Sequence, residues 1–330
     1  MLPAPDQTPD AGIFLEENER KLGPMAFERQ REHLPWGVET YNIADLGFID
    51  TKVLGGWLDG NSLSDIMETY LEKVVGDNAF YYYGRQFPLM VKHMDFSSRQ
   101  PLLVCPDDTV AAQRYDALGK AKFWYVISAR EGAYVGLGLR KNMTASSFYY
   151  ACEDRTVPDY VNRIPVRAGD CFHIAPGIVH YASEGVQLIE VAEASALDFV
   201  LCRPLGMPDD ELGTADALDF VNLSKSEYSP LEKKDDYKLL STPEMTVSLI
   251  PLGTAVKVNA GDSDSFYIYT CAKGEASLLG GGEMVVVREG ESVLVPADCT
   301  EFVIEPRREG TVMIEAAPTR REEKDGYIDR

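Results

Sequence analysis

Gly169-Asp170-Cys171-Phe172-His173-Ile174-Ala175-Pro176-Gly177-Ile178-Val179-His180 decides the fold, because the chain repeats its plan further on. The second copy is Gly290-Glu291-Ser292-Val293-Leu294-Val295-Pro296-Ala297-Asp298-Cys299-Thr300-Glu301. Each copy has a Gly-acid turn, a short apolar strand, a second turn containing Pro, and the first residue of a new strand. A repeat of this kind argues for two copies of one architecture. Around the second copy, strands are predicted at Thr246–Pro251, Ala255–Val258, Ser265–Ala272, Gly274–Leu279, Met284–Arg288, Ser292–Pro296, Glu301–Glu305 and Thr311–Ala316. Short strands at this spacing indicate a barrel or jelly roll.

Around the first copy the reading is similar. Strands are expected at Phe80–Tyr83, Phe87–Met94, Leu102–Val104, Phe123–Ser128, Ala133–Leu139, Phe172–Ala175, Val186–Val191 and Phe199–Cys202. Arg130-Glu131-Gly132 reads as a hairpin turn between two of them. Leu63, Ile66, Met67, Tyr70, Leu71, Val74 and Val75 recur at helical spacing, with Ser62 as N-cap and Gly76 as the stop. Thr144–Cys152 reads as a second helix capped by Thr144. Asp107-Asp108 reads as turn chemistry.

The resulting organisation is a leader at 1–35, with helix-like stretches at Ile13–Leu22 and Pro24–His33, then a barrel at 36–205. A polar connection at 206–235 carries a helical patch at Ala215–Val221, and a second barrel follows at 236–318. A charged tail, 319–330, is expected to fray.

Composition sets the outer bounds. The chain has 330 residues, 45% hydrophobic, enough for two packed domains. Lys plus Arg number 32 against 53 Asp plus Glu, a formal net charge of −21. That argues against nucleic acid or an anionic membrane as partner, since both need a basic surface. A local lysine or arginine pocket can still hold one phosphate. No apolar run is long enough to span a membrane. The N-terminal residues lack the basic-then-apolar pattern of a signal peptide. Six scattered cysteines without a CxxC pair then imply reduced thiols and a cytoplasmic location.

Four segments, in order, resemble the type I mannose-6-phosphate isomerases, especially the short bacterial form with two cupin domains. Phe87-Pro88-Leu89-Met90-Val91-Lys92 is similar to the strand before that family's metal loop. Pro101-Leu102-Leu103-Val104-Cys105-Pro106-Asp107-Asp108 resembles its S-I-Q-V-H-P-D segment. Gly119-Lys120-Ala121-Lys122-Phe123-Trp124-Tyr125 resembles G-K-x-E-x-W-Y, and Ala175-Pro176-Gly177-Ile178-Val179-His180 resembles P-x-G-x-x-H. The likeness covers about residues 36–317 and implies a mainly β fold of two cupin (double-stranded β-helix, jelly-roll) barrels with a few helices. The repeat quoted above resembles the second cupin motif in both barrels. In the second barrel Glu301 replaces the histidine, so that barrel is expected to be metal-free.

The resemblance also implies a zinc site and a reaction, the interconversion of mannose 6-phosphate and fructose 6-phosphate through an enediol. The family's zinc ligands map to Leu103, Cys105, Lys122 and His180, so only His180 is retained. Leu103 has no lone pair to donate, and an ammonium at Lys122 repels a cation where a carboxylate would attract it. Further on, Glu190 and Ser195 match the family, but its Asp and Arg positions hold Ala196 and Val200.

The expected site residues are Lys120 and Glu190 in catalytic positions, and Lys122, His173 and Trp124 lining a sugar pocket. His180 and Cys105 stand at the metal positions. Three functions remain open. One is a diverged relative that binds a sugar or sugar phosphate with weak or lost zinc-dependent activity. Another is an active isomerase with a rearranged metal site and Lys122 as base. The third is a non-catalytic regulatory protein, as a monomer or homodimer. The cofactor is zinc if the family site survives, and none otherwise.

Overall fold

The computed structural model describes residues 20–207, 212–233 and 237–321. The described chain begins with β1 (Met25–Ala26), which joins the second barrel; the first barrel opens with β2 (Gln30–Leu34) and β3 (Gly37–Ile43), then helices α1 (Leu63–Tyr70), α2 (Glu72–Val75) and α3 (Asp77–Tyr83). It continues through β4 (Leu89–Phe96), β5 (Leu102–Val104), α4 (Asp108–Tyr115), β6 (Lys122–Ala129), β7 (Tyr134–Leu139) and α5 (Ala145–Glu153). A 3-10 turn at Val157–Tyr160 leads to β8 (Val161–Pro165), β9 (Cys171–Ile174), β10 (His180–Ala182), β11 (Val186–Glu193) and β12 (Phe199–Cys202). After α6 (Thr214–Ala217) come β13 (Lys238–Ser241), β14 (Met245–Leu252), β15 (Val256–Asn259), β16 (Tyr267–Lys273) and β17 (Glu275–Gly280). The last strands are β18 (Glu283–Arg288), β19 (Ser292–Val295), β20 (Glu301–Pro306) and β21 (Thr311–Pro318).

Each barrel is a pair of sheets. The first pairs β2-β3-β4-β11-β6-β9 with β12-β5-β10-β7-β8; the second pairs β1-β19-β16-β21-β14-β13 with β15-β20-β17-β18. The mainly β, two-cupin architecture expected from the repeat is present. Gly169 and Gly290 both sit at positive φ before the strand of their repeat, at 89° and 80°, where glycine carries no Cβ penalty.

Strand alternation divides β6 and β11 between two environments. Phe123, Tyr125, Ile189 and Val191 face out of the first barrel and pack against Leu249, Ile268, Leu294 and Ile314 of the second. Lys122, Trp124 and Glu190 therefore face inward. The shared core between barrels thus sets the orientation of the residues of interest.

Several local expectations are corrected. Pro24–His33 is not helical: β1 pairs with β19 of the second barrel and β2 with β3 of the first. Leu22, Met25 and Phe27 are core residues, so this segment straps the barrels together. Ile13–Leu22 lies mostly outside the described residues, as does the tail beyond 321. The helix from Leu63 breaks at Leu71, whose φ is 42°. The capping box of Ser62 with Asp65 is present as the spacing requires. Phe80–Tyr83 is helical, part of α3, since Ala79, Tyr82 and Tyr83 bury one side of a helix. Arg130-Glu131-Gly132 joins β6 and β7 across two different sheets, so no hairpin forms there. Asp107 caps α4 by accepting from the Val110 N–H at 2.9 Å.

Arg321 closes the molecule. Its backbone exchanges two hydrogen bonds with the Asn78 side chain, both 2.9 Å. Its guanidinium donates to Tyr83 Oη at 3.2 Å and Asp108 Oδ2 at 3.4 Å. Replacing Arg321 with Ala removes two largely buried charge-assisted bonds. Urea unfolding should show a loss of about 1–3 kcal/mol; an unchanged midpoint would show that the clamp carries no stability.

Candidate functional site

The inward faces of β3, β4, β6 and β11 bring a row of charges into the first barrel. Register sets Lys92 beside Tyr41 and Glu190, and Glu190 beside Trp124. Lys92 Nζ lies 2.8 Å from Glu39 Oε2 and 3.2 Å from Glu190 Oε1. Glu190 Oε2 accepts from Trp124 Nε1–H at 2.8 Å and lies 3.8 Å from Lys122 Nζ. Lys122 Nζ is 2.6 Å from Asp198 Oδ1 and 2.9 Å from His180 Nε2. Lys120 Nζ donates to the other oxygen of Asp198. Cys105 Sγ lies 3.1 Å from Asp198 Oδ1. Three ammoniums thus meet three carboxylates.

Burial makes this balance necessary, because an unpaired buried charge is costly. Lys120, Lys122, Trp124, His180, Glu190 and Cys105 are each 3% exposed or less. The Asp198 side chain, 26% exposed, is the member that reaches solvent. It sits in the irregular stretch between β11 and β12.

The charges fix one another's protonation. Burial raises the Glu190 carboxyl, but Lys122, Lys92 and Lys120 outweigh it and hold its pKa at about 2. Burial opposes the Asp198 charge too, yet Lys120 and Lys122 keep it well below the usual carboxylate range. Burial lowers Lys122, and the pull of Asp198, Cys105 and Glu190 raises it above its ordinary value. Lys122 is therefore a firmly held ammonium, which corrects the expectation that burial could make it a base. Burial, then Lys122, bring His180 down to about 3. Its Nδ1 lies 2.8 Å from the Ile178 carbonyl. The neutral ring can donate there through Nδ1–H, leaving the Nε2 lone pair to accept from Lys122. Burial, followed by the Asp198 charge, raises the Cys105 thiol.

Of the residues expected from sequence, Lys120, Lys122, Trp124, His180, Glu190 and Cys105 converge here. His173 does not, which corrects its assignment to the sugar pocket. It pairs with Phe123, so it shares Phe123's outward face, away from Lys122 and Trp124. Trp124 is fully enclosed, with its ring edge-on to His180 at 5.7 Å, and its visible task is to orient Glu190. Sequence reading missed Asp198, Lys92 and Glu39. Asp198 shares strand parity with Val200, and that signal was available.

Zinc can be tested against this donor set. Cys105, His180 and Asp198 offer ligand atoms within 4.8 Å of one another, a compact trio of suitable types. The ammonium of Lys122 already stands against the His180 lone pair and the Asp198 carboxylate. With that cation in place, the residues do not fit zinc.

The comparisons agree with this frame. Residues 244–313 match the family model described as mannose-6-phosphate isomerase, cupin domain. A mannose-6-phosphate isomerase of Streptococcus mutans is 25% identical over 228 residues, covering 64% of this chain and 68% of that protein. In sequence and in fold the chain is thus similar to the mannose-6-phosphate isomerases. The mannose 6-phosphate isomerase of Bacillus subtilis has the same fold, with a TM-score of 0.76 at 18% identity over 89% of this chain and 99% of that one. A mannose 6-phosphate isomerase bound with zinc and yttrium superposes with a TM-score of 0.69 at 13% identity, covering 90% of this chain and 100% of that one.

Two predictions follow from the charge cluster. His180, with a folded pKa near 3 against an unfolded value near 6.5, stays neutral while the unfolded chain takes up a proton. Stability should therefore decline as pH falls below about 6.5, with Glu190 and Asp198 adding to the loss below about 4.5. In His180→Gln, the slope of unfolding free energy against pH between 6.5 and 4.5 should be shallower by up to one proton; equal slopes would contradict a neutral His180. Second, the dialysed protein should hold far less than one zinc per chain by elemental analysis. Lys122→Glu, which removes the resident cation and adds a fourth donor, should approach about one. Stoichiometric zinc in the unaltered protein would overturn the misfit.

Proposed function

We propose that this mannose-6-phosphate isomerase-like cupin binds a sugar phosphate in its first barrel and has weak or no zinc-dependent aldose–ketose isomerase activity. The observation that carries this reading is the Lys122 ammonium, 2.9 Å from His180 Nε2 and 2.6 Å from Asp198 Oδ1. A cation belonging to the chain stands among the donors that would otherwise hold a metal.

The proton-transfer chemistry points the same way. Moving a proton between C1 and C2 needs a base with a free lone pair and a pKa near the working pH. Glu190, held at about 2, is a weak base, and its oxygens face Lys92, Trp124 and Lys122. His180, at about 3, turns its lone pair to Lys122. Lys122 is protonated. What the cluster does offer is a pair of ammoniums, Lys120 and Lys122, that meet at the one partly exposed carboxylate, Asp198. That suits a phosphate ester on an otherwise acidic protein.

The alternative is an active isomerase with a rearranged metal site, favoured by the compact Cys105–His180–Asp198 trio. A coupled assay with mannose 6-phosphate, with and without added zinc, separates the two. Turnover should lie at least about 100-fold below that of a zinc-loaded family member, the scale of losing one key electrostatic group. Mannose 6-phosphate should nevertheless raise the thermal midpoint by binding the native state. Rapid zinc-dependent turnover would establish the alternative, and no midpoint shift with any hexose phosphate would sink the binding reading.

A further inference from the structure

We infer that the Asp198 carboxylate is a built-in occupant of an anion site, and that a phosphoryl dianion takes its place when ligand binds. This rests on the sugar-phosphate reading for the identity of the ligand, but the anion site stands on its own geometry. Three groups from two stretches of the chain converge on this one carboxylate. Lys122 of β6 lies 2.6 Å from Oδ1, Lys120 just before β6 donates to Oδ2, and Cys105 Sγ after β5 is 3.1 Å from Oδ1. Two ammoniums on the two oxygens of one anion is a geometry that an edge of a phosphate tetrahedron can also satisfy. With Asp198 withdrawn, three ammoniums face only Glu39 and Glu190, and an incoming anion restores the negative charge that the carboxylate supplied.

The exchange is mechanically simple. Lys120 and Lys122 are anchored in the barrel and almost fully buried, whereas Asp198 is the partly exposed member of the group. The segment Ala196–Asp198 lies outside any strand. Its backbone N–H bonds are local: Asp198 N–H donates to the Ala196 carbonyl, and Leu197 N–H to Ser195 Oγ. Ser195 Oγ in turn donates to the Leu118 carbonyl at 2.8 Å, which gives the segment a fixed root. The carboxylate can swing out while the strands stay in place. As a ligand shifts an equilibrium only by its differential affinity, the resident carboxylate acts as a competitor and weakens apparent phosphate affinity.

The test uses inorganic phosphate as the probe on the full chain. Asp198→Asn should lower the thermal midpoint, and phosphate should restore it saturably, with affinity at least tenfold tighter than for the unaltered protein. In Lys120→Met/Asp198→Asn that gain should vanish. Equal affinity in the unaltered and Asp198→Asn proteins, or no binding to a folded Asp198→Asn, overturns the inference. Should Asp198→Asn fail to fold, hydrogen exchange on the unaltered protein decides. Saturating phosphate should speed exchange at Leu197–Phe199 while slowing it elsewhere in the barrel, and slower exchange at those amides refutes the displacement. A parallel titration with mannose 6-phosphate keeps the two ideas apart. Response to inorganic phosphate alone supports the anion site and removes the sugar-phosphate reading; response to neither removes both.

Discussion

A single ammonium organises the first barrel. Lys122 Nζ donates to a neutral imidazole and to the Asp198 carboxylate, and lies 3.8 Å from a second carboxylate, Glu190. Lys92 and Lys120 extend the same network to Glu39 and Asp198. Buried ion networks are expensive to assemble and are weak evidence for stability by themselves. Their consequence here is specificity of state: each member holds the others in one protonation form, with Asp198 as the member that meets solvent. The chemical character of the site follows from that.

The geometry depends in turn on how the two barrels share a core. The outward faces of β6 and β11 are apolar and seal against the second barrel. With that face committed, the alternate residues of the same strands must point into the first barrel. A one-residue slip would put Phe123 in the site and Lys122 in the interface. The β1 strand adds a covalent strap, pairing with β19 before the chain enters β2.

The second barrel fills the same plan differently. Its repeat begins with Gly290, as the first begins with Gly169, and the strand after the turn opens with Glu301 in place of His180. Glu301 is exposed and pairs with Lys257 at 2.9 Å on the surface, an interaction of small energetic weight. The barrel interior is filled by Tyr269, Phe302 and aliphatic side chains. Tyr269 finds its buried partner in Glu315 at 2.6 Å.

The sequence by itself determined the two-barrel plan. Gly-acid turns, period-two strands and a repeated motif are local signals, readable because turn geometry and pleat alternation depend on near neighbours. It also determined which family positions had changed, and so that Lys122 and His180 would be the residues to weigh. Only the tertiary structure decided what those residues do. Asp198 lies far along the chain from Lys120 and Lys122, and the sign of the Lys122 pKa shift depends on Asp198, Cys105 and Glu190, all distant in sequence. His173 was placed on the wrong face, because the side of a short strand that meets a second domain is not written in the strand itself. The helical reading of Pro24–His33 failed for the same reason: its partners are β19 and β3, and a strand's identity belongs to its pair.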